Sequence, residues 1–135
     1  MALMVVLGCV RPDHENALSK KREAARGTAL TLLVMEPTER EERVVAVDPD
    51  SATIKKTVES LKWSPITFVT LKRDAKNWME ASGSLSPEDG LSARYSENGV
   101  EHVSARAPKS LSEIVDLLQS YRSGDDRWRS SIEWQ

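Results

Sequence analysis

The segment 65–71 constrains the fold of this chain more than any other, because apolar residues occupy both faces of a predicted strand. Successive side chains of an extended chain point to opposite sides. Ile66 and Phe68 therefore share one face. Val69 and Leu71 share the other face. Apolar residues on both faces are typical of a strand in the middle of a sheet, so the core is predicted to form around this segment.

A capping box marks the start of the strongest predicted helix. Ser110 and Glu113 have the spacing at which each side chain can bind a free backbone N–H of the first turn. Gly124 is expected to end the helix, because glycine readily takes the left-handed backbone conformation found there. Between these signals runs an apolar stripe at helical spacing, formed by Leu111, Ile114, Val115 and Leu118.

A second, shorter helix is predicted after the short strand 44–47. Asp48 is expected to be its N-cap, with Pro49 in the first helical position. The helix is expected to end near Trp63, because Ser64-Pro65 disfavours its continuation. Its apolar stripe consists of Ile54, Val58 and Leu61.

The hairpin register can be argued from the turn Asn98-Gly99. A three-residue loop, 97–99, pairs Ala93 with Val103 and keeps the apolar side chains on one face, so this register is preferred. A two-residue loop would pair Arg94 with Val103 and mix the faces. The other strand patterns are 77–82, the apolar run 29–35 and a terminal strand in which Trp128, Ser130, Ile132 and Trp134 alternate with polar residues.

These elements predict an α+β fold, a two-layer sandwich in which two helices pack on a mostly antiparallel sheet of about five strands. We place this domain at 43–135. Residues 1–42 are expected to be a loosely attached N-terminal segment, because the polar stretch 13–26 has only a thin apolar stripe. A length of 135 residues fits a single domain.

Charge and cysteine content narrow the function classes. The net charge of −2 gives no general electrostatic attraction to nucleic acid or to anionic lipid. The single cysteine, Cys9, allows no internal disulfide, and the chain is expected to be cytoplasmic. The alternative is a lipoprotein attached through Cys9, if translation starts upstream of Met1.

No cofactor is predicted, and no metal site, since His14 and His102 lie far apart in the sequence.

Two tryptophans are candidate binding residues, because Trp is the residue most enriched at binding hot spots. Trp63 lies at a predicted helix end, and Trp128 lies among charged residues. Both fit an interface anchor as well as they fit the core. Trp78 and Trp134 are expected in the core, where a large aromatic side chain buries much area.

Two acidic pairs in predicted loops complete the candidate binding residues. Glu88-Asp89 and Asp125-Asp126 are each consistent with a solvated turn. They are also consistent with acidic patches that attract a basic protein partner.

His102 is the one candidate for catalysis in the domain. A histidine acting as a general base needs an orienting partner, and Glu101 is expected on the opposite face of the strand. A surface histidine is therefore the preferred interpretation. The alternative is a small hydrolase-like enzyme that uses His102 with a loop carboxylate.

The C-terminal region resembles a family of bacterial polymorphic-toxin immunity proteins. The resemblance is carried by a helix reaching Tyr121, the pair Gly124-Asp125, Trp128 and a terminal Trp134, together with the order of the preceding elements. It covers about 43–135. It implies an α+β fold, with Trp78, Trp128 and Trp134 matching the family's recurrent tryptophans. It also implies a small cytoplasmic protein without catalysis that binds and blocks a cognate toxin, often a nuclease or a deaminase.

The sequence thus favours a non-catalytic protein-binding module of the immunity type, whose partner is a toxin. The alternatives are the hydrolase and an architectural or lipoprotein domain. The sequence leaves open the identity of the partner, the oligomeric state and the order of the strands in the sheet.

Overall fold

The structure, a computed structural model, describes residues 29–135 and contains one antiparallel sheet of six strands. The strands are β1 (Thr31–Met35), β2 (Arg43–Val47), β3 (Ser64–Asp74), β4 (Asn77–Gly83), β5 (Leu91–Glu97) and β6 (Val100–Val103). Their order across the sheet is β2-β1-β3-β4-β5-β6. The helices of the described part are α1 (Ser51–Ser60), α2 (Leu111–Ser123) and α3 (Arg127–Ser131). The predicted α+β class is confirmed, with six strands rather than about five.

The core lies between the helices and one face of the sheet. On each strand every second side chain turns toward the helices, as the two-residue period of a strand requires. The apolar stripe of α2 packs on them. The most deeply buried apolar side chains of this layer are Leu32, Val34, Val69, Leu71, Met79, Ile54, Val58, Ile114 and Leu118.

Helix α1 begins later than predicted. Asp50 is the N-cap, and its carboxylate accepts a hydrogen bond from Thr53 N at 2.8 Å. The prediction that Asp48 is the N-cap is wrong, because Asp48 is tied to Leu30 instead. The Asp48 N–H donates to Leu30 O at 2.6 Å, and Leu30 N donates to the Asp48 carboxylate at 3.0 Å. The backbone of Asp48 turns with φ of +50°, which a helix N-cap does not adopt.

The β5–β6 hairpin has a two-residue loop, so the predicted three-residue loop is wrong. Arg94 pairs with Val103 and Tyr95 pairs with His102. Asn98 and Gly99 both have positive φ, +54° and +85°, as a type I′ turn requires. The turn therefore set the register. The apolar alternation of β6 could not, because this edge strand is largely exposed.

The C-terminal residues form the short helix α3 rather than the predicted strand. The side chain of Trp128 points into the core and is 4% exposed. Its burial fixes the position of the C-terminal residues that follow. Only a single bridge, between Ser104 and Trp134, has the character of strand pairing. The alternation of large and polar residues here therefore reflects an aromatic cluster and not a pleated strand.

The sheet extends closer to the N-terminus than the expected boundary at Arg43. Strand β1 lies inside the sheet, between β2 and β3, and Leu32 and Val34 are fully buried. Residues 29–42 are thus part of the sheet and its connecting loop. The expectations for Cys9 and for residues 1–28 lie outside the described residues. No helix within 29–135 has both the length and the apolar character needed to cross a bilayer.

Leu118→Ala is expected to lower the free energy of unfolding by about 2–5 kcal/mol, because it leaves a cavity in the buried layer between α2 and the sheet. Urea denaturation measures the loss. Leu85→Ala, in an exposed loop, is the control and should change stability by less than about 0.5 kcal/mol. Equal effects of the two variants would contradict the assigned helix face.

Candidate protein-binding surface

The structure does not bring the two acidic pairs together. Glu88 and Asp89 lie in the loop that joins β4 to β5. Asp126 lies at the other end of these strands, where Arg129 contacts it at 3.2 Å and also contacts Glu97 at 2.5 Å. Six residues of strand separate the two ends, which is about 20 Å. The four acidic residues therefore form two separate sites and not one patch.

Asp125 is committed to the turn between α2 and α3. Its carboxylate accepts hydrogen bonds from the hydroxyls of Ser120 and Ser123, and from the backbone and side chain of Arg127. These donors hold the pKa of Asp125 well below its usual range, with the Ser120 hydroxyl as the largest cause. Ser120 Oγ in turn accepts a hydrogen bond from Trp128 N at 2.9 Å. Asp125 therefore orients the chain that delivers Trp128 to the core.

Trp128 is the centre of an aromatic cluster and not an exposed anchor. Tyr95 and Tyr121 meet its ring edge-on, at centroid distances of 4.7 and 5.6 Å. Trp134 lies 6.0 Å away, and the Arg129 guanidinium sits 4.3 Å from the ring centroid. A buried ring with contacts on all these sides is unavailable to a partner.

Trp63 is also engaged with the core. Its indole N–H donates to Val58 O at 2.9 Å, at the C-terminal end of α1. The ring is half-buried and packs against the edge of the core. Trp63 and Trp128 thus stabilise the fold, and only part of Trp63 is open to a partner.

His102 is half-buried, and its ring stacks on that of Tyr95. The two rings are 4.8 Å apart and nearly parallel, and Nδ1 lies 3.1 Å from the carbonyl oxygen of Gln135. Within 29–135, no Asp or Glu side chain is hydrogen-bonded to the ring, and no group of three metal-ligating side chains is present.

The largest feature that the sequence analysis did not anticipate is the other face of the sheet. All the described helices pack on one side, and no described helix covers the second face, which we call the open face. Its exposure is uneven, because Val44, Val47 and Ile66 are more than half exposed whereas Leu33 and Thr70 are buried. Directly opposed residues share a face, and the registers assign Thr31, Leu33, Val44 and Val47 to it. The alternation along β3 adds Ile66, Phe68 and Thr70.

The open face is divided into an apolar part and a polar part. The apolar part lies on β1, β2 and β3. Val44 and Val47 of β2 are 59% and 69% exposed. Ile66 of β3 is 58% exposed, beside the half-buried Phe68. On β4 and β5 the surface is charged and aromatic. There Arg94 lies 5.3 Å from the centroid of the Trp78 ring and donates to the Glu80 carboxylate at 2.8 Å. Trp78 therefore belongs to this face, contrary to the expectation that it lies in the core.

One sequence signal could have revealed this surface. The pattern of 65–71 requires cover on both faces of β3, whereas two predicted helices suffice for one face only. The position of β3 at the centre of the sheet agrees with the prediction. Ile66, however, is exposed rather than buried, so part of this apolar surface is not covered by the described residues.

Comparison of the chain with protein-family models, with curated proteins and with solved structures finds no match.

Asp125→Asn is expected to lower the free energy of unfolding at pH 7, because the fold binds the ionised carboxylate through several donors. A lowered pKa in the folded state means that this stabilisation is present above the unfolded value of about 3.9 and is lost as the pH falls through the folded pKa. Urea midpoints of variant and wild type should therefore converge as the pH falls below about 4. Asp126→Asn, at an exposed side chain, is the control and should show little difference at any pH.

Proposed function

We propose that this chain is a non-catalytic protein-binding module of the immunity type, which blocks a cognate bacterial toxin by direct binding. The observation that carries the proposal is the apolar part of the open face. Three β-branched side chains, Val44, Val47 and Ile66, are more than half exposed there, near the half-buried Phe68 and the buried Leu33. Exposed apolar side chains gathered on one face are typical of a surface that binds another protein.

The energetics of this surface favour a macromolecular partner. Full burial of an exposed Val or Ile contributes about 1.5–3 kcal/mol, so a partner covering Val44, Val47 and Ile66 gains several kcal/mol before the losses of association. The surrounding sheet lies over a packed core, so little conformational entropy is lost on binding. A flat apolar face of this kind is suited to covering a partner's surface rather than enclosing a small substrate.

The immunity assignment within this binding class rests on the sequence resemblance around Gly124-Asp125 and Trp128. In this proposal the open face covers the toxin's site and excludes its substrate. Glu88, Asp89 and Asp126 are exposed and would raise the association rate with a basic nuclease, although they form no single patch. The proposal places the protein in the cytoplasm, with attachment through Cys9 as the alternative.

The proposal is tested by titrating the full chain with the folded product of the neighbouring gene, using isothermal titration calorimetry. Saturable binding at micromolar concentration or tighter is expected, together with loss of the partner's toxic activity. No binding, with both proteins folded, would remove the immunity assignment.

Ile66→Lys is expected to weaken this binding by about tenfold or more, because the contact would bury an unpaired charge at the open face. Leu85→Lys is the matched control, since Leu85 is 59% exposed against 58% for Ile66 but lies in the β4–β5 loop. Equal losses for the two variants would contradict the open face as the binding surface.

A further inference from the structure

We infer that β2 is a docking edge for an extended segment of the partner, apolar in its centre and flanked by Lys or Arg, which pairs with β2 as a seventh strand. This inference rests on the proposed function and specifies how the partner is recognised. An extended segment added to a sheet edge gains affinity from main-chain hydrogen bonds and specificity from alternate side chains.

The two edges of the sheet differ in how far they are closed. At the β6 edge, the C-terminal residues form backbone hydrogen bonds to the end of β6 and to the segment that follows it. Gln135 N donates to Val103 O and Ala105 N donates to Glu133 O, each at 2.8 Å. Strand β2 pairs with β1 on one side, and within 29–135 no other strand pairs with its outer side. Among residues 29–135, no strand occupies the outer backbone groups of β2, which an added strand would use.

Strand β2 also lacks most of the features that normally protect an edge. Natural edges carry inward charges, lysines, prolines or bulges that prevent pairing with another chain. The only charged residue of β2, Arg43, is bound by Glu36 at 3.1 Å and by Glu39 at 2.7 Å. A bulge is present opposite β1, and it leaves both Val44 and Val47 exposed on the open face. An added strand would place its own apolar side chains beside these two valines.

Charge determines which segment this edge accepts. Exposed acidic residues stand at both ends of β2, with Glu41 and Glu42 before it and Asp48 and Asp50 after it. Within the described part, neither Glu41 nor Glu42 makes an ion pair. A segment with basic residues at both ends therefore matches the edge in either strand direction.

The same charges disfavour a second copy of this chain on the edge. An antiparallel pair of β2 strands centred on Val45 would place Glu42 of one copy beside Asp48 of the other. A parallel pair would place the same acidic residues side by side. Like charges directly opposed across strands are destabilising, so the edge favours a basic partner over itself.

The probe is a short fluorescent peptide of alternating Thr and Val with two Lys at each end, measured by fluorescence anisotropy with the full-length protein. It is expected to bind at least about tenfold more tightly than the same peptide with Glu in place of Lys, and the difference should narrow as salt screens the charges. Equal binding of the two peptides, or no binding of either, would overturn the inference.

Strand addition has its own signature. An added strand presents alternate N–H groups to β2 and the intervening ones to solvent. Methylating the backbone nitrogens of one alternate set should abolish binding, and methylating the other set should leave it nearly unchanged. Equal effects of the two sets would contradict pairing along an edge.

Variants locate the site. Val44→Lys combined with Val47→Lys should weaken binding of the lysine peptide by about tenfold or more. Val100→Lys on the other edge is the control, because Val100 and Val44 are both 59% exposed. Glu41→Gln with Glu42→Gln should also weaken it, whereas Glu88→Gln with Asp89→Asn should not. A loss shared by the control variants would overturn the assignment to β2.

Two further outcomes separate this inference from the proposed function. If the neighbouring gene product binds and responds to Ile66→Lys but not to Glu41→Gln combined with Glu42→Gln, the partner covers the face without using the β2 edge, and the inference fails alone. If the peptide binds and the gene product does not, the docking edge stands and the immunity assignment fails. A dimer of the free protein that Val44→Lys combined with Val47→Lys dissociates would assign the edge to a second copy and overturn the inference.

Discussion

Packing of α2 against one face of the sheet is the interaction on which the other parts of the structure depend. Besides its buried apolar stripe, α2 binds the segment before and at the start of α1. Gln119 Nε2 donates to Ser51 O, and Arg122 Nε donates to Pro49 O, each at 2.7 Å. On the same helix, Ser120 receives the Trp128 N–H and joins Asp125 to it. One helix therefore positions both of the others, and because all three pack on the same side, no described helix covers the opposite face.

The parts of the fold that the sequence predicted are those governed by strong local signals. Ser110 accepts the Glu113 N–H at 3.2 Å, as the capping box requires, and Gly124 ends α2 with a left-handed backbone. The Glu113 carboxylate bonds Lys109 N rather than the Ser110 N–H, so even here the details differ. Where two signals competed, as in the β5–β6 hairpin, the turn chemistry of Asn98-Gly99 outweighed the apolar alternation.

The parts that the sequence did not predict depend on contacts between distant residues. The sequence around Trp128 does not indicate that its ring packs against Tyr95, which lies on a distant strand. Likewise, the acidic pairs look alike in the sequence, yet one carboxylate is committed to a turn and two others lie about 20 Å away at the far end of a hairpin. The open face was hidden for the same reason. Its existence follows from the side on which the helices gather, which no local pattern specifies.

The position of β1 has a consequence for the order in which the chain assembles. Strand β1 is made before both of its neighbours, yet it ends inside the sheet, paired with β2 on one side and β3 on the other. During synthesis, the side of β1 that pairs with β3 therefore stays unpaired at Leu32, Leu33 and Val34 until both α1 and β3 have been made. An apolar strand with an unpaired side is prone to aggregation while it waits. The acidic loop 36–42, which closes the β1–β2 hairpin early, shortens the period in which both sides are open and keeps charge next to the waiting strand.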